Sequence, residues 1–260
     1  MLNRPFDHPG NSLAFLGRRR RRNNRSLDGQ LEENRGLGLI DHWHGPSSSE
    51  DRNYLLHLSS HFRHPMCGIF LGRRKEMKRI VMIVGSLRKE SFNRKVAQYI
   101  ESLIGSRAEV SYLEYGDIPY MDQDTEYPAP SSIERVRKEV GEADGIWFLT
   151  PEYNYSYPGV LKNLLDWLSR PVRKGAGRTE TAIRGKKATL SGAGGRNATA
   201  GARNKLRELL PFIGVEVMDG METGIALDPV SFQTNTLELT EEVKEKLSRQ
   251  ADAFLLFLDK

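Results

Sequence analysis

The chain has 260 residues, enough for one good-sized domain with an appendage, and a formal net charge of +5 at pH 7. Residues 1–76 contain 13 Lys and Arg against 8 Asp and Glu, a net of +5, whereas residues 77–260 contain 26 of each. The basic character therefore belongs to the first segment, and the remainder shows no charge pattern typical of nucleic-acid binding.

The reactive side chains divide at the same point. All six histidines and the single cysteine, Cys67, precede Met77. Catalysis by Cys–His or Ser–His–Asp groups, and metal sites with thiolate or imidazole ligands, are thus excluded from residues 77–260. One cysteine forms no disulfide within the chain, which predicts a reducing, cytoplasmic environment. No apolar stretch approaches the roughly 18–20 residues that a spanning helix needs, so we expect no membrane partner.

Residues 1–76 combine a run of five arginines, Arg18–Arg22, with scattered Asn, Gly and Ser. Their low apolar density predicts a disordered basic extension without a role of its own. The alternative is a nucleic-acid or nuclear-localisation signal, for which such a run is typical. Because the strand pattern and the charge balance both begin at Met77, a further hypothesis is that Met77 is the natural start of translation.

From Lys78 onward, strands and helices alternate, which predicts an α/β domain with a parallel sheet over residues 77–260. Strands are predicted at Ile80–Val84, Glu109–Tyr115, Ile146–Thr150, Lys187–Ser191 and Val215–Met218. Helices are predicted at about 92–105, around Ile133–Val140, from Pro158 to Leu168, through Leu206–Leu210 and over Val243–Leu258. This pattern favours a three-layer, doubly wound, flavodoxin-like sheet of five strands in the order 2-1-3-4-5, whose ligand crevice lies beyond strands 1 and 3.

The loop after the first strand, Gly85–Asn93, carries two hydroxyls, an amide and the guanidinium of Arg88 directly before a helix. Free backbone N–H groups and the helix dipole favour an anion there, and Arg88 adds a full positive charge. The alternative is a simple helix cap by Ser91. The loop matches neither a Walker A motif nor the dinucleotide-binding glycine motif, so a monophosphate fits best.

Two further loops are expected on the same rim of the sheet. The loop Thr150–Gly159 contains three tyrosines, an asparagine and two prolines, which suits contact with a flat heteroaromatic ring. The alternative is an ordinary proline-rich connection whose tyrosines pack on neighbours. The glycine-rich loop Ser191–Asn197 allows close approach of the backbone to a ligand, although such a loop is weak evidence alone.

The two longer loops contain extended motifs. They read Gly85-Ser86-x-Arg88-x-x-Ser91-x-Asn93 and Pro151-Glu152-Tyr153-Asn154-x-Ser156-x-Pro158-Gly159-x-Leu161-Lys162-Asn163-x-x-Asp166-Trp167. Together they closely resemble the NAD(P)H-dependent FMN reductase family, which includes quinone, azo-dye and chromate reductases of flavodoxin-like fold. The likeness covers residues 78–260 and none of the preceding segment.

The resemblance implies a set of cofactor contacts. The FMN phosphate would be held by Ser86, Arg88, Ser91 and Asn93, with Phe92 in the same loop. The isoalloxazine ring would be bordered by Pro151, Glu152, Tyr153 and Asn154, and its pyrimidine side by Ser191, Gly192, Gly194 and Gly195. Members of the family are usually dimers or tetramers, assembled partly through the helix at 158–169, and the segment Pro119–Asp122 resembles one that approaches the ring.

The expected function is hydride transfer from NADPH or NADH to N5 of FMN, followed by ping-pong electron transfer to a small-molecule acceptor. The acceptor stays open among quinones, azo compounds, chromate and free flavin. No catalytic side chain is expected, because the cofactor carries the chemistry. The alternatives are a flavodoxin-type electron carrier without enzymatic activity, and a reductase that releases reduced flavin as its product.

Overall fold

Six parallel strands and six α-helices lie within residues 77–260, which are the residues described by the computed structural model. The predictions for residues 1–76 lie outside the described residues. The strands are β1 Arg79–Val84, β2 Glu109–Tyr112, β3 Gly145–Leu149, β4 Lys187–Gly194, β5 Glu216–Val217 and β6 Thr223–Ala226. The helices are α1 Phe92–Ile104, α2 Ser131–Glu142, α3 Gly159–Leu168, α4 Ala200–Phe212, α5 Pro229–Thr234 and α6 Glu241–Leu258.

The strand order is β2-β1-β3-β4-β5, which confirms the predicted flavodoxin-like order. The prediction of five strands was wrong in one respect, because the last position of the sheet is divided between two strands. β5 pairs with the start of β4 and β6 with its end, where Ser191 lies opposite Thr223. The two are separated by a turn in which Gly220 adopts a positive φ of 77°.

The limits of two predicted strands also change. β4 continues to Gly194 rather than ending at Ser191, because β6 supplies a pairing partner for its last residues. The predicted loop from Ser191 therefore begins only at Gly195. β2 ends at Tyr112 rather than Tyr115, and the short helix α5 was not predicted.

Two apolar cores lie on the two faces of the sheet. On one face, Ile83 and Phe148 pack with residues of α2, α3 and α4, among them Val136, Leu164 and Leu206. On the other face, residues of β1 and β3 pack with α1 and α6, among them Met82, Trp147, Val96 and Phe254. Strands covered on both faces explain the continuous apolar runs in β1 and β3.

None of the helices within residues 77–260 combines the length and the apolar character that crossing a bilayer requires.

Candidate functional site

The three polar loops leave neighbouring strands at one edge of the sheet. The parallel register places Val84 opposite Leu149, and Leu149 opposite Ser191. The N–H of Gly85 donates to the carbonyl of Leu149 at 2.7 Å, and the N–H of Thr150 donates to that of Ser191 at 3.0 Å. The carboxyl ends of β1 and β3 therefore lie beside Ser191 of β4, and β4 runs three residues further to Gly194 before the third loop begins.

A cavity of about 190 Å³ lies at this edge. It is lined by the predicted residues Ser86, Arg88, Ser91, Phe92, Asn93, Pro151, Glu152, Tyr153, Gly194 and Gly195, together with Ala193, Leu227 and Phe232. Two neighbouring cavities of about 460 and 420 Å³ share lining residues with it, the first Glu152 and Gly195, the second Ser86 and Arg88. The three cavities are thus neighbours along this edge, and together they are called the rim cleft.

A larger cavity, about 600 Å³, lies elsewhere in residues 77–260. It is lined by Lys78, Arg107 and Asp252 among others, at the amino end of β1. Ligands of open α/β sheets bind beyond the carboxyl ends of the strands. We therefore assign the candidate site to the rim cleft in spite of its smaller cavities.

At one end of the cleft, the first loop meets the amino terminus of α1. Ser91 is the N-cap residue, and its hydroxyl accepts from the N–H of Arg94 at 3.4 Å. The hydroxyl of Ser86 accepts from the N–H of Arg88 at 3.4 Å, and the side chain of Arg88 is exposed. A guanidinium, two hydroxyls and a helix amino terminus together form an anion-binding environment.

Asn93 lies in the same segment but faces inward. Its Nδ2 donates to the carbonyl of Ala193, its Oδ1 accepts from the N–H of Ala193, and both distances are 2.9 Å. The amide thus fastens the first turn of α1 to the end of β4. The resemblance implied that Asn93 holds the phosphate, whereas the contacts place its side chain beneath the loop, where it fixes the loop's position.

Ser191 and Gly192 do not line the cavity. Ser191 is fully buried; its hydroxyl accepts from Nε1 of Trp147 at 3.0 Å and donates to Oε1 of Gln250 at 3.1 Å. Gly192 packs directly against Thr199, so closely that a Cβ atom would collide with it. Both lie below the surface of the cleft because β4 extends further than its sequence pattern indicated.

The second loop forms a tight turn at the other end of the cleft. The N–H of Tyr153 donates to the carbonyl of Ser156 at 2.9 Å, and the N–H of Ser156 donates back at 3.1 Å. Asn154 and Tyr155 between them have positive φ values of 52° and 58°, which is the conformation of a two-residue hairpin turn. Asn154 lines the neighbouring cavity of about 460 Å³. The turn exposes Tyr153 and Tyr155 at the rim, with relative accessibilities of 54% and 69%.

Glu152 connects this loop to α4. Its Oε2 accepts from the backbone N–H of Ala202 at 3.0 Å. The N-cap residue of α4, Thr199, is in the left-handed conformation and makes no side-chain cap. The carboxylate of Glu152 therefore satisfies an N–H of the first turn of α4 and lies at the positive end of the helix dipole.

We expect Glu152→Ala to lower the free energy of unfolding by about 1 kcal/mol, the usual cost of losing a helix N-terminal cap. Glu152→Gln is expected to lower the free energy of unfolding by less, because its amide oxygen still accepts the hydrogen bond although the charge is gone. Denaturant unfolding without flavin measures both effects. Glu208→Gln, an exposed change in the same helix, is the control; a Glu152→Ala protein as stable as this control would contradict the capping role.

Tyr115 supports the first loop from below. Its buried hydroxyl donates to the carbonyl of Val84 at 2.7 Å. Burial, with a smaller contribution from Glu114, raises the pKa of Tyr115 well above its usual range. The hydroxyl therefore stays protonated and keeps its hydrogen bond to the last residue of β1.

Three residues of this region were missed by sequence reasoning. Leu227 and Phe232 line the cavity, and Oδ1 of Asn235 accepts a hydrogen bond from Nη2 of Arg88. The available signal was Asp228 followed by Pro229, since Asp at an N-cap and Pro at the first helical position mark a helix start. The side chain of Asp228 does accept from the N–H of Ser231 at 2.6 Å.

The segment before α2 is held against α3. Nδ2 of Asn163 and Nε1 of Trp167 both donate to the carbonyl of Pro119 at 2.9 Å, and Oδ1 of Asn163 accepts from Met121 at 2.8 Å. These contacts leave the intervening Tyr120 protruding, with a relative accessibility of 85%.

Comparisons with known proteins identify a family for this chain. The family model described as NADPH-dependent FMN reductase matches residues 78–228. A 2-hydroxy-1,4-benzoquinone reductase of a Burkholderia species is 32% identical over 177 residues, 68% of this chain and 93% of that protein. An NAD(P)H-dependent FMN reductase of Pseudomonas aeruginosa is 33% identical over 182 residues, 69% of this chain and 95% of that protein.

A solved structure is similar as well. FerB from Paracoccus denitrificans, a flavoenzyme NAD(P)H:(acceptor) oxidoreductase, has a TM-score of 0.62 and 31% sequence identity. The match covers 70% of this chain and 98% of FerB. The comparisons confirm the resemblance that the two loop motifs predicted.

Proposed function

Because the chain belongs to the NADPH-dependent FMN reductase family and is an NAD(P)H-dependent flavin oxidoreductase, we propose that the rim cleft is its FMN site. One observation carries the assignment: Arg88, the amino terminus of α1 and Tyr153 open onto a single cavity. A phosphate fits the cationic end, and a flat ring fits the end with exposed aromatic side chains.

The residues present fit such a ligand in their chemistry. Ser86 and Ser91 offer hydroxyls and Arg88 offers several N–H donors at the anion-binding end. At the other end, Pro151 and Tyr153 give a stiff, partly apolar edge. A ligand with a phosphate at one end and a planar heterocycle at the other satisfies both environments, and FMN has this form.

When bound, FMN supplies the redox chemistry, accepting a hydride from NAD(P)H and passing two electrons to an acceptor. The chain's own residues then need only bind and orient. The backbone N–H groups of Glu152 and Asn154 would stabilise the negative charge that develops at the proposed ring end on reduction, because that of Tyr153 already donates to the carbonyl of Ser156. This division of labour accords with the absence of His and Cys from residues 77–260.

Family membership favours this reductase over a flavodoxin-type carrier without enzymatic activity. We propose a quinone as one acceptor, because a relative 32% identical to this chain is named a 2-hydroxy-1,4-benzoquinone reductase. Azo compounds, chromate and free flavin are further acceptors within the proposal, since an exposed reduced flavin reacts with many oxidants. A cytoplasmic location stays a prediction, supported by the single cysteine.

A homodimer or homotetramer also stays a prediction. It is supported by the protruding side chain of Tyr120, which is fastened against α3 through Pro119 and Asn163. An exposed aromatic residue on a rigid support is typical of a protein–protein contact. The mass in solution, compared with 29.5 kDa for one chain, decides the oligomeric state.

The function is tested by the absorbance spectrum of the purified protein, followed by anaerobic addition of NADPH. We expect the visible bands of an oxidised flavin, bleached by NADPH and restored by a quinone. A colourless protein that oxidises NADPH only with added FMN would identify flavin as the substrate rather than a resident cofactor. A protein inert even with added FMN would contradict the proposal.

A further inference from the structure

The segment from Leu227 to Asn235 covers the anion-binding end of the rim cleft. Phe232 of α5 contacts Phe92 edge to face, with ring centroids 5.6 Å apart at 83°. Leu227 and Phe232 both line the cavity that Arg88 also lines. The segment therefore forms one wall of the site, although neither loop motif includes it.

Asn235, which directly follows α5, contacts two cations. Its side-chain Oδ1 accepts from Nη2 of Arg88, and its backbone carbonyl accepts from Nζ of Lys95 at 2.7 Å. Its Nδ2 lies 3.5 Å from Oε2 of Glu90, which in turn lies 3.3 Å from Nζ of Lys95. The amide thus has its oxygen toward Arg88 and its nitrogen toward Glu90, so each end has a suitable partner.

These four side chains leave an excess of positive charge beside the helix terminus. Arg88 and Lys95 each carry one positive charge, and Glu90 carries one negative charge. Asn235 is neutral, and its oxygen uses one of the five N–H donors of the guanidinium. The remaining donors of Arg88 are available to an anion, whereas an acidic residue in place of Asn235 would neutralise it.

We propose that Asn235 is a positioning residue that holds the guanidinium of Arg88 toward the phosphate of the flavin. An exposed arginine has many rotamers, so binding a ligand would otherwise cost the conformational entropy of ordering its side chain. A fixed acceptor lowers this cost only for ligands that contact the guanidinium. Asn235 therefore increases selectivity for FMN over riboflavin, which lacks the phosphate; this rests on the proposed function.

The backbone of Asn235 makes a clean substitution possible. Asn235 adopts the left-handed conformation, with φ 57° and ψ 29°, which asparagine and glycine tolerate better than other residues. Asn235→Gly removes the side-chain amide, keeps this conformation accessible and retains the carbonyl that contacts Lys95. Gln233→Ala, an exposed change in α5 itself, is the matched control.

The test is a fluorescence titration of the flavin-free full chain with FMN and, separately, with riboflavin. We expect Asn235→Gly to weaken FMN binding about three- to tenfold, the range for one hydrogen bond to a charged group at a partly exposed site. Riboflavin binding is expected to change less than twofold, and Gln233→Ala to leave both unchanged. Equal loss for the two flavins, or no loss for FMN, would overturn the inference.

A second measurement separates positioning from general damage to α5. In an Arg88→Ala background, Asn235→Gly is expected to cause no further change in the ratio of FMN to riboflavin affinity. A further loss there would also overturn the inference. If the unsubstituted protein binds neither flavin, the proposed function fails. If it prefers FMN and Asn235→Gly retains the full preference, only the role of Asn235 fails.

Discussion

Replacing Arg88 with alanine is expected to weaken FMN binding about 10- to 100-fold and to leave riboflavin binding nearly unchanged. Charge-assisted hydrogen bonds to a phosphate contribute about 1.5–3 kcal/mol, and each 1.4 kcal/mol corresponds to a factor of ten. The exposed side chain of Arg88 lines the cavity at the amino terminus of α1. The lost affinity should therefore come from contacts with the phosphate alone. A titration with FMN and with riboflavin measures it.

The neighbouring residue offers a control for this prediction. Lys89→Ala removes one positive charge from the same loop, but Lys89 does not line the cavity of about 190 Å³ and contributes only to the neighbouring one of about 420 Å³. The Lys89→Ala variant should lose only a little FMN affinity, because Lys89 attracts the phosphate only at long range and salt screens this attraction. Arg88→Lys should be intermediate, since an ammonium keeps the charge but not the planar set of donors. An Arg88→Ala protein with unchanged FMN affinity would refute the phosphate assignment.

The general position of the site was predictable from sequence because it depends on local patterns. An apolar run such as Ile80–Val84, followed by polar residues and then a helical stripe, defines a strand, a loop and a helix without long-range information. The rule that ligands bind beyond the carboxyl ends of parallel strands then places the loops on one rim. The register of β1, β3 and β4 confirms that they share an edge.

The roles of single residues were less predictable, because they depend on partners distant in the chain. Asn93 is bonded to Ala193, 100 residues away, and Ser191 to Gln250, 59 residues away. No local pattern distinguishes an asparagine that fastens two elements together from one that binds a ligand. The same applies to Asn235, which meets Arg88 only because α5 folds across the first loop.

The extent of β4 shows a further limit of local patterns. The glycines at 192 and 194 weaken a strand pattern, so the strand was predicted to end at Ser191. In the structure, β6 pairs along Ser191–Gly194 and extends the strand. Glycine is required there by close packing: a Cβ atom on Gly192 would come within 3.0 Å of both Thr199 and the carbonyl of Thr150.

Gly192→Ala is accordingly expected to lower the free energy of unfolding by about 2–3 kcal/mol. Overpacking a tight interior site costs about 1–3 kcal/mol, and the upper part of this range applies because one of the colliding atoms is a backbone oxygen. Relief requires β4 to move away from Thr150, the residue that begins the second loop. Denaturant unfolding of the flavin-free protein measures the loss of stability.

Gly195 is the matched control, because it lies three residues further along and a Cβ atom there would meet nothing within 4 Å. Gly195→Ala should change the stability by no more than about 0.5 kcal/mol, as is usual for open positions. Comparable stability of the two alanine variants would contradict the packing argument. If Gly192→Ala is destabilised as expected, its FMN affinity should fall as well. The strand that moves, β4, ends in Ala193 and Gly194, which line the cavity together with the following Gly195.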